Sequence, residues 1–190
     1  REHEGKRYVY LKHIYDAETY ISSQLRFLAG GGNITLRSPV TDENWRNFLF
    51  VPEAEISKKQ PAKYDKIIAS QSITCQKIFP RHLSVLSGAA GTGKTTVVKA
   101  IISAIRRAHG NADTFQLLAP TGKAADRLRE KTGEKNAATI HSFLAQRGWL
   151  NDNMTYKWAG GKQEKDIRTY VIDESSMLDL ELTVTLFRAI

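Results

Sequence analysis

Lys94 and Thr95 close the run Gly88-Ala89-Ala90-Gly91-Thr92-Gly93-Lys94-Thr95, which has the spacing G-x-x-x-x-G-K-[ST]. Such a run curls its backbone N–H groups around the phosphates of a nucleotide. The lysine reaches the β- and γ-phosphates, and the last hydroxyl ligates Mg²⁺. A metal held this way needs a second acidic group from elsewhere in the chain. Tyr170-Val171-Ile172-Asp173-Glu174 supplies one, an apolar run ending in two adjacent carboxylates. Asp173 is placed to face the metal, and Glu174 to polarise a water for attack on the γ-phosphate. The pair therefore points to hydrolysis by water, because the sequence advertises no acceptor pocket of the kind a small-molecule kinase needs.

Strands and helices must hold these groups in place. His82 to Leu86 reads as a buried strand entering the phosphate loop. Thr96 to His109 reads as a helix leaving it, with Val97, Val98, Ile101, Ile102 and Ile105 on helical spacing and Gly110-Asn111 as its stop. That order aims a helix N-terminus at an anion. Ile67 to Phe79 is predicted as a helix before it. Thr114 to Leu118 is a second predicted strand, ending at Ala119-Pro120-Thr121-Gly122-Lys123, and Ala124 to Glu130 a helix. Thr139 can cap a short helix through Phe143 and Leu144. Gln146 to Lys165 is a polar loop or hairpin carrying Trp149, Tyr156 and Trp158, Arg168 to Asp173 a third strand, and Leu178 to Ile190 a last helix. Strands alternating with helices predict an α/β fold, a parallel sheet flanked by helices.

The first third of the chain reads differently. Arg7 to Lys12 alternates like a short strand. His13 to Ala29 is amphipathic, with Ile14, Ala17, Ile21, Leu25 and Leu28 on one face, and Gly30-Gly31-Gly32 stops it. Asn33 to Pro61 reads as irregular, with Trp45, Phe48, Leu49 and Phe50 knotted together as a small core, a docking surface or a platform for bases. Residues 1–62 are thus expected to be a small, mainly helical appendage and linker, and residues 63–190 the nucleotide-binding domain.

Net charge is +8, which suggests an anionic partner, nucleic acid before membrane, since no basic amphipathic helix stands out. Hydrophobic residues make up 41% of the chain and charged ones 25%, the balance of a soluble globular protein. Cys75 is the only cysteine, and His3, His13, His82, His109 and His141 fall at no ligand spacing, so no zinc site is expected. A lone thiol and the lack of an apolar leader or of a run of about 18 apolar residues suggest the cytoplasm and no membrane partner. The chain lacks an initiator Met, and Leu186 to Ile190 still reads as helix, so a piece of a longer protein is expected.

Four segments together resemble superfamily 1 helicases, and among them the RecD-type group that includes the exodeoxyribonuclease V alpha chain. They are Gly88 to Thr96, Ala119-Pro120-Thr121-Gly122-Lys123-Ala124-Ala125-Asp126-Arg127-Leu128, Ala138-Thr139-Ile140-His141-Ser142-Phe143-Leu144, and Val171-Ile172-Asp173-Glu174-Ser175-Ser176-Met177-Leu178. In that order they are similar to helicase motifs I, Ia, Ib and II. Gln71 stands at the spacing of the family's upstream glutamine, with Thr74 where an alanine is usual. The resemblance covers Tyr64 to Ile190, with a weaker match of the His13–Ala29 helix to the region before the motor.

The resemblance implies a first RecA-like motor domain of an ATP-dependent DNA helicase. Gln71 would pair with the adenine edge. Gly88, Ala89, Ala90, Gly91, Thr92, Gly93, Lys94, Thr95 and Thr96 would hold the nucleotide, Thr95 and Asp173 would hold Mg²⁺, and Lys94 and Glu174 would serve catalysis. Pro120, Thr121, Gly122, Lys123, Thr139 and His141 would lie along single-stranded DNA, with 5′-to-3′ movement and other subunits of a helicase–nuclease complex as implied companions. In the family, motif II is followed by a Gly-Asp-x-x-Gln sensor and a second RecA-like domain with arginine fingers. Without those fingers the chain is expected to bind ATP but hydrolyse it poorly. The helicase half of a conjugative relaxase shares these motifs. A P-loop ATPase switch without nucleic-acid work would need only the first and last of them. A pure nucleic-acid-binding module would have to carry the nucleotide motifs as relics.

Overall fold

A computed structural model describes residues 2–3, 5–7, 9, 11–89, 91–110, 115–157 and 159–190. Two short antiparallel strands, β1 (Glu2–His3) and β2 (Lys6–Arg7), precede the helix α1 (Lys12–Gly30). The strand expected over Arg7 to Lys12 therefore reduces to Arg7, and Lys12 already opens α1; Tyr8 and Tyr10 lie outside the described residues. Every residue of the expected apolar face of α1 is half-buried. This face meets α8 (Leu180–Ala189), where the Tyr20 hydroxyl donates to the Phe187 carbonyl at 3.3 Å and Arg188 lies over the Tyr20 ring. Gly31 ends α1, its N–H donating to Leu28.

Asn33 to Pro61 corrects the irregular reading. It holds α2 (Asp42–Leu49) and the short α3 (Glu55–Lys59). Thr41 and Asn44 form a reciprocal capping box that starts α2. Trp45 and Leu49, at 2% and 1% exposure, pack into one core with Tyr64, Ile68 and Cys75 of α4 (Pro61–Ile78) and Val97, Ala100 and Ala104 of α5 (Lys94–His109). Trp45 meets Phe79 and Phe48 edge-on, so Trp45 and Leu49 of the aromatic knot are core, whereas Phe50 is exposed.

The sheet has three parallel strands in the order β4–β3–β5, with β3 Phe115–Ala119, β4 Ala137–Thr139 and β5 Thr169–Ile172. Asn111 and Thr114, read as a helix stop and a strand start, lie outside the described residues; Gly110, at φ 85°, itself ends α5. Ile102 and Ile105 of α5 pack on Phe115 and Leu117 of β3 and on Leu128 of α6 (Gly122–Thr132). Thus α5 lies between two cores, the helical one on its Val97–Ala100–Ala104 side and the sheet on the other. Ile140, Phe143 and Leu144 of α7 (Ile140–Gln146), Trp149 and Leu150 of the following loop, and Leu182 and Leu186 of α8 fill the core beside Leu118.

The strand expected at His82–Leu86 is not formed. Arg81 makes an isolated bridge to Asn33, no ladder follows through residues 82–89, and Val85 is 81% exposed. The physical reason is pairing: an apolar run becomes a strand only beside another one, and no described strand lies along this segment. Leu83 and Leu86 are half-buried, and Leu86 packs against the α2–α4–α5 core.

Candidate nucleotide and nucleic-acid site

The phosphate loop joins that unpaired segment to α5. Gly93 is the N-cap of α5 at φ 86°, a left-handed conformation that suits glycine, and no side chain caps the helix. Its first N–H groups therefore stay available to an anion. Thr92 braces the turn, its hydroxyl donating to the Ala89 carbonyl at 2.8 Å. Lys94 folds back, its Nζ donating to the carbonyls of Gly88 at 2.6 Å and Ala89 at 2.9 Å. Those two carbonyls hold the ammonium over the loop. Ala90, one of the expected cradle residues, lies outside the described residues; Gly88, Ala89, Gly91, Thr92, Gly93, Lys94, Thr95 and Thr96 are all at the turn or in the first turn of α5.

Gln71 reaches this loop from α4. Its amide nitrogen donates to the Thr92 carbonyl at 3.3 Å. Its amide end also sits where a Cβ at Gly93 would be, but that end belongs to a flexible side chain that can move aside, so it is the positive φ that calls for glycine here. The family resemblance implies a place for Gln71 beside the adenine, and its contact with the loop itself is an addition of the structure.

Asp173 and Glu174 leave the C-terminal end of β5. The Asp173 N–H continues the ladder by donating to Leu118 at 2.9 Å, and its carboxylate accepts from the Glu174 N–H at 3.0 Å. Glu174 has φ 49°, uncommon for a residue with a side chain, and it opens the short turn Ser175–Met177. Thr95, Asp173 and Glu174 line one cleft of about 70 Å³ with Ala124, Arg127, Leu128 and Lys131 of α6. A hydroxyl and a carboxylate facing one cleft are hard oxygen donors of the kind Mg²⁺ takes. Sequence reasoning missed Arg127 and Lys131. Their four-residue spacing from Lys123 puts all three on one side of α6, but the helix predicted over Ala124 to Glu130 leaves out both lysines.

The expected nucleic-acid residues gather at the same end of the sheet. Ala119 of β3 pairs with Thr139 of β4, so Pro120 and Thr121 emerge beside Thr139. Each threonine is an N-cap. Thr121 accepts from the Ala124 N–H at 3.2 Å to start α6, and Thr139 accepts from the Ser142 N–H at 3.0 Å to start α7. A hydroxyl that accepts in this way still has its own proton to donate. Thr121, Gly122 and Lys123 are exposed. His141 is half-buried and stacks on Tyr156 of the 147–165 loop, with ring centroids 6.4 Å apart. That loop bridges Leu150 to Tyr156 in antiparallel fashion, as a hairpin would, and Trp149 is buried in the core; Trp158 lies outside the described residues.

Residues 71–190 match the family described as AAA domain. The chain is 30% identical over 183 residues to an uncharacterized protein of Methanocaldococcus jannaschii, covering 90% of this chain and 15% of that protein. It is 28% identical over 191 residues to the ATP-dependent RecD2 DNA helicase of Deinococcus radiodurans, covering 98% of this chain and 22% of the helicase. It is 28% identical over 156 residues to the RecBCD enzyme subunit RecD of Haemophilus influenzae, covering 72% of this chain and 24% of the subunit. The chain thus spans less than a quarter of each of these relatives, and the resemblance to RecD-type helicases read from the four motifs holds along most of it. Among the described residues no helix is long and apolar enough to cross a membrane.

Proposed function

The chain belongs to the AAA domain family, and from that premise we propose that it is the first motor domain of an ATP-dependent DNA helicase. The observation that carries the reading is one cleft that takes Thr95 from the helix after the phosphate loop and Asp173 and Glu174 from the end of β5. In this reading ATP lies over the uncapped N-terminus of α5. Lys94 exchanges the carbonyls of Gly88 and Ala89 for the β- and γ-phosphates, which are the stronger acceptors. Thr95 and Asp173 hold Mg²⁺, which neutralises charge on the phosphates when bound. Glu174 accepts a proton from the attacking water. Gln71, already against the loop, presents its amide to the adenine edge.

Pro120, Thr121, Gly122, Lys123, Thr139 and His141 form the path for single-stranded DNA in this reading. Backbone N–H groups, hydroxyls and a lysine at one end of the sheet suit a phosphate backbone rather than base readout. Movement 5′ to 3′, a second domain supplying arginine fingers and a cytoplasmic location are parts of the same proposal, implied by the family resemblance; a place beside other subunits is suggested by the name of the RecBCD relative. The test is a pair of substitutions in the full-length protein. Lys94→Ala should weaken Mg·ATP binding sharply in calorimetry. Glu174→Gln should leave binding intact and abolish DNA-stimulated hydrolysis. Equal affinity in Lys94→Ala would remove the nucleotide assignment, and hydrolysis indifferent to single-stranded DNA would favour an ATPase switch.

A further inference from the structure

We propose that Arg127 of α6 contacts the terminal phosphate of the bound nucleotide, so that this domain itself distinguishes a triphosphate from a diphosphate. The proposal rests on the nucleotide reading above and goes beyond it, because Arg127 belongs neither to the phosphate loop nor to the acidic pair.

Position is the first argument. The cleft that holds Thr95, Asp173 and Glu174 is closed on its α6 side by Ala124, Arg127, Leu128 and Lys131. Gln71, the residue proposed above to read the base, does not line it. Arg127 therefore stands at the metal end, where the γ-phosphate and the attacking water belong.

The helix that carries Arg127 is fixed at both ends and along its length. Thr121 caps its start, Gly133 ends it in a left-handed turn, and Leu128 is 3% exposed against Ile102 and Ile105 of α5. The backbone of Arg127 is thus held relative to Thr95 on α5, while its side chain is exposed. Its charge is also uncommitted. Arg129, two residues on, is bonded to Asp126 and to the Ala137 carbonyl, and Arg106 grips Glu134 with both nitrogens at 2.8 Å. Among the described residues Arg127 makes no ion pair within 4.0 Å, although two carboxylates line its cleft. A guanidinium fork beside a Mg²⁺-type donor set, not collapsed onto the carboxylates, matches the oxygens of a phosphate. Lys131 adds a second positive charge to the same wall.

Arg127 also shares one side of α6 with Lys123, so a DNA-phosphate contact is the alternative that the test must separate. In the full-length protein, affinities for Mg·ADP and for a non-hydrolysable Mg·ATP analogue are measured by calorimetry, and affinity for a labelled oligonucleotide by anisotropy. Arg127→Ala should lose about ten- to a hundredfold for the triphosphate, the range for a hydrogen bond to a charged group, with ADP and oligonucleotide affinities and the melting temperature unchanged. Arg127→Lys should recover only part of it. An equal loss for both nucleotides, no loss, or a loss confined to the oligonucleotide would overturn the assignment while leaving the nucleotide site standing. A wild-type protein that binds neither nucleotide would overturn both.

Discussion

Asp173 and Lys94 reach the candidate site from opposite kinds of support. Asp173 follows β5, which is laddered to β3, where Leu117, Leu118 and Ala119 are fully buried. Lys94 follows residues 82–89, which carry no ladder and expose Val85. Both approaches are short apolar runs ending in groups that handle phosphate or metal. The difference lies in what surrounds them. One half of the site is fixed by packing, and the other by a few local bonds: Lys94 to Gly88 and Ala89, Thr92 to Ala89, and Gln71 to Thr92. A nucleotide that bridges the halves would find the metal side prebuilt and the phosphate side ready to rearrange.

The contrast predicts amide exchange first. Amides of Leu117, Leu118 and Val171 should open only with the global transition, whereas those of Ser84, Val85 and Ser87 should exchange without it. A gap of about a thousandfold or more in protection is expected, readable by mass spectrometry. Equal protection would mean that residues 82–89 are paired after all.

Truncation sharpens the same contrast. Leu118→Ala should cost about 2–5 kcal/mol in denaturant unfolding, because Leu118 sits in a closed core. Val85→Ala should fall within about 0.5 kcal/mol of wild type.

The packed half also carries a pH signature. Glu164 bonds the Arg147 guanidinium, at 2.9 Å to Nε, and accepts from the N–H groups of Lys165 and Asp166. The Arg147 bond, before the backbone bonds, holds the Glu164 carboxyl below its usual range. A carboxylate with a lowered folded value stabilises fully above the unfolded value, near pH 4.3, and loses that contribution as pH falls through the folded one. Glu164→Gln should therefore cost about 1.5–3 kcal/mol at neutral pH, and the gap in melting temperature should begin to narrow only as pH falls below about 4.3.

The smallest effect separates scaffold from ligand. Thr121→Ala should cost about 1 kcal/mol through loss of the α6 cap. Thr121→Ser keeps the cap and the hydroxyl, so it should preserve both stability and oligonucleotide affinity. A serine variant that loses DNA but not stability would show that the threonine methyl matters to the path.

What the sequence made legible was local. The helix α5 with its glycine stop and the Thr139 cap are each written within a few consecutive residues, and each forms as expected. The face of α1 was legible for the same reason, since helical spacing alone defines it. What was misread depended on distant neighbours. Residues 82–86 have the composition of a strand but no partner, whereas Trp45, Phe48 and Leu49 sit at helical spacing behind a Thr41–Asn44 cap that prolines on either side obscured. Arg127 and Lys131 enter the cleft only because α6 packs on α5, a contact that no window of sequence contains.

One contact bears on how such a site can be altered. The Gln71 amide fills the space that a side chain at Gly93 would take, so the residue expected to read the base and the glycine that shapes the phosphate cradle are steric neighbours. Exchanging Gln71 for a shorter residue to relax base choice would also remove its hydrogen bond to the Thr92 carbonyl. In the proposed reading one side chain thus serves both the base and the loop, and its substitution is expected to shift nucleotide affinity along with base choice.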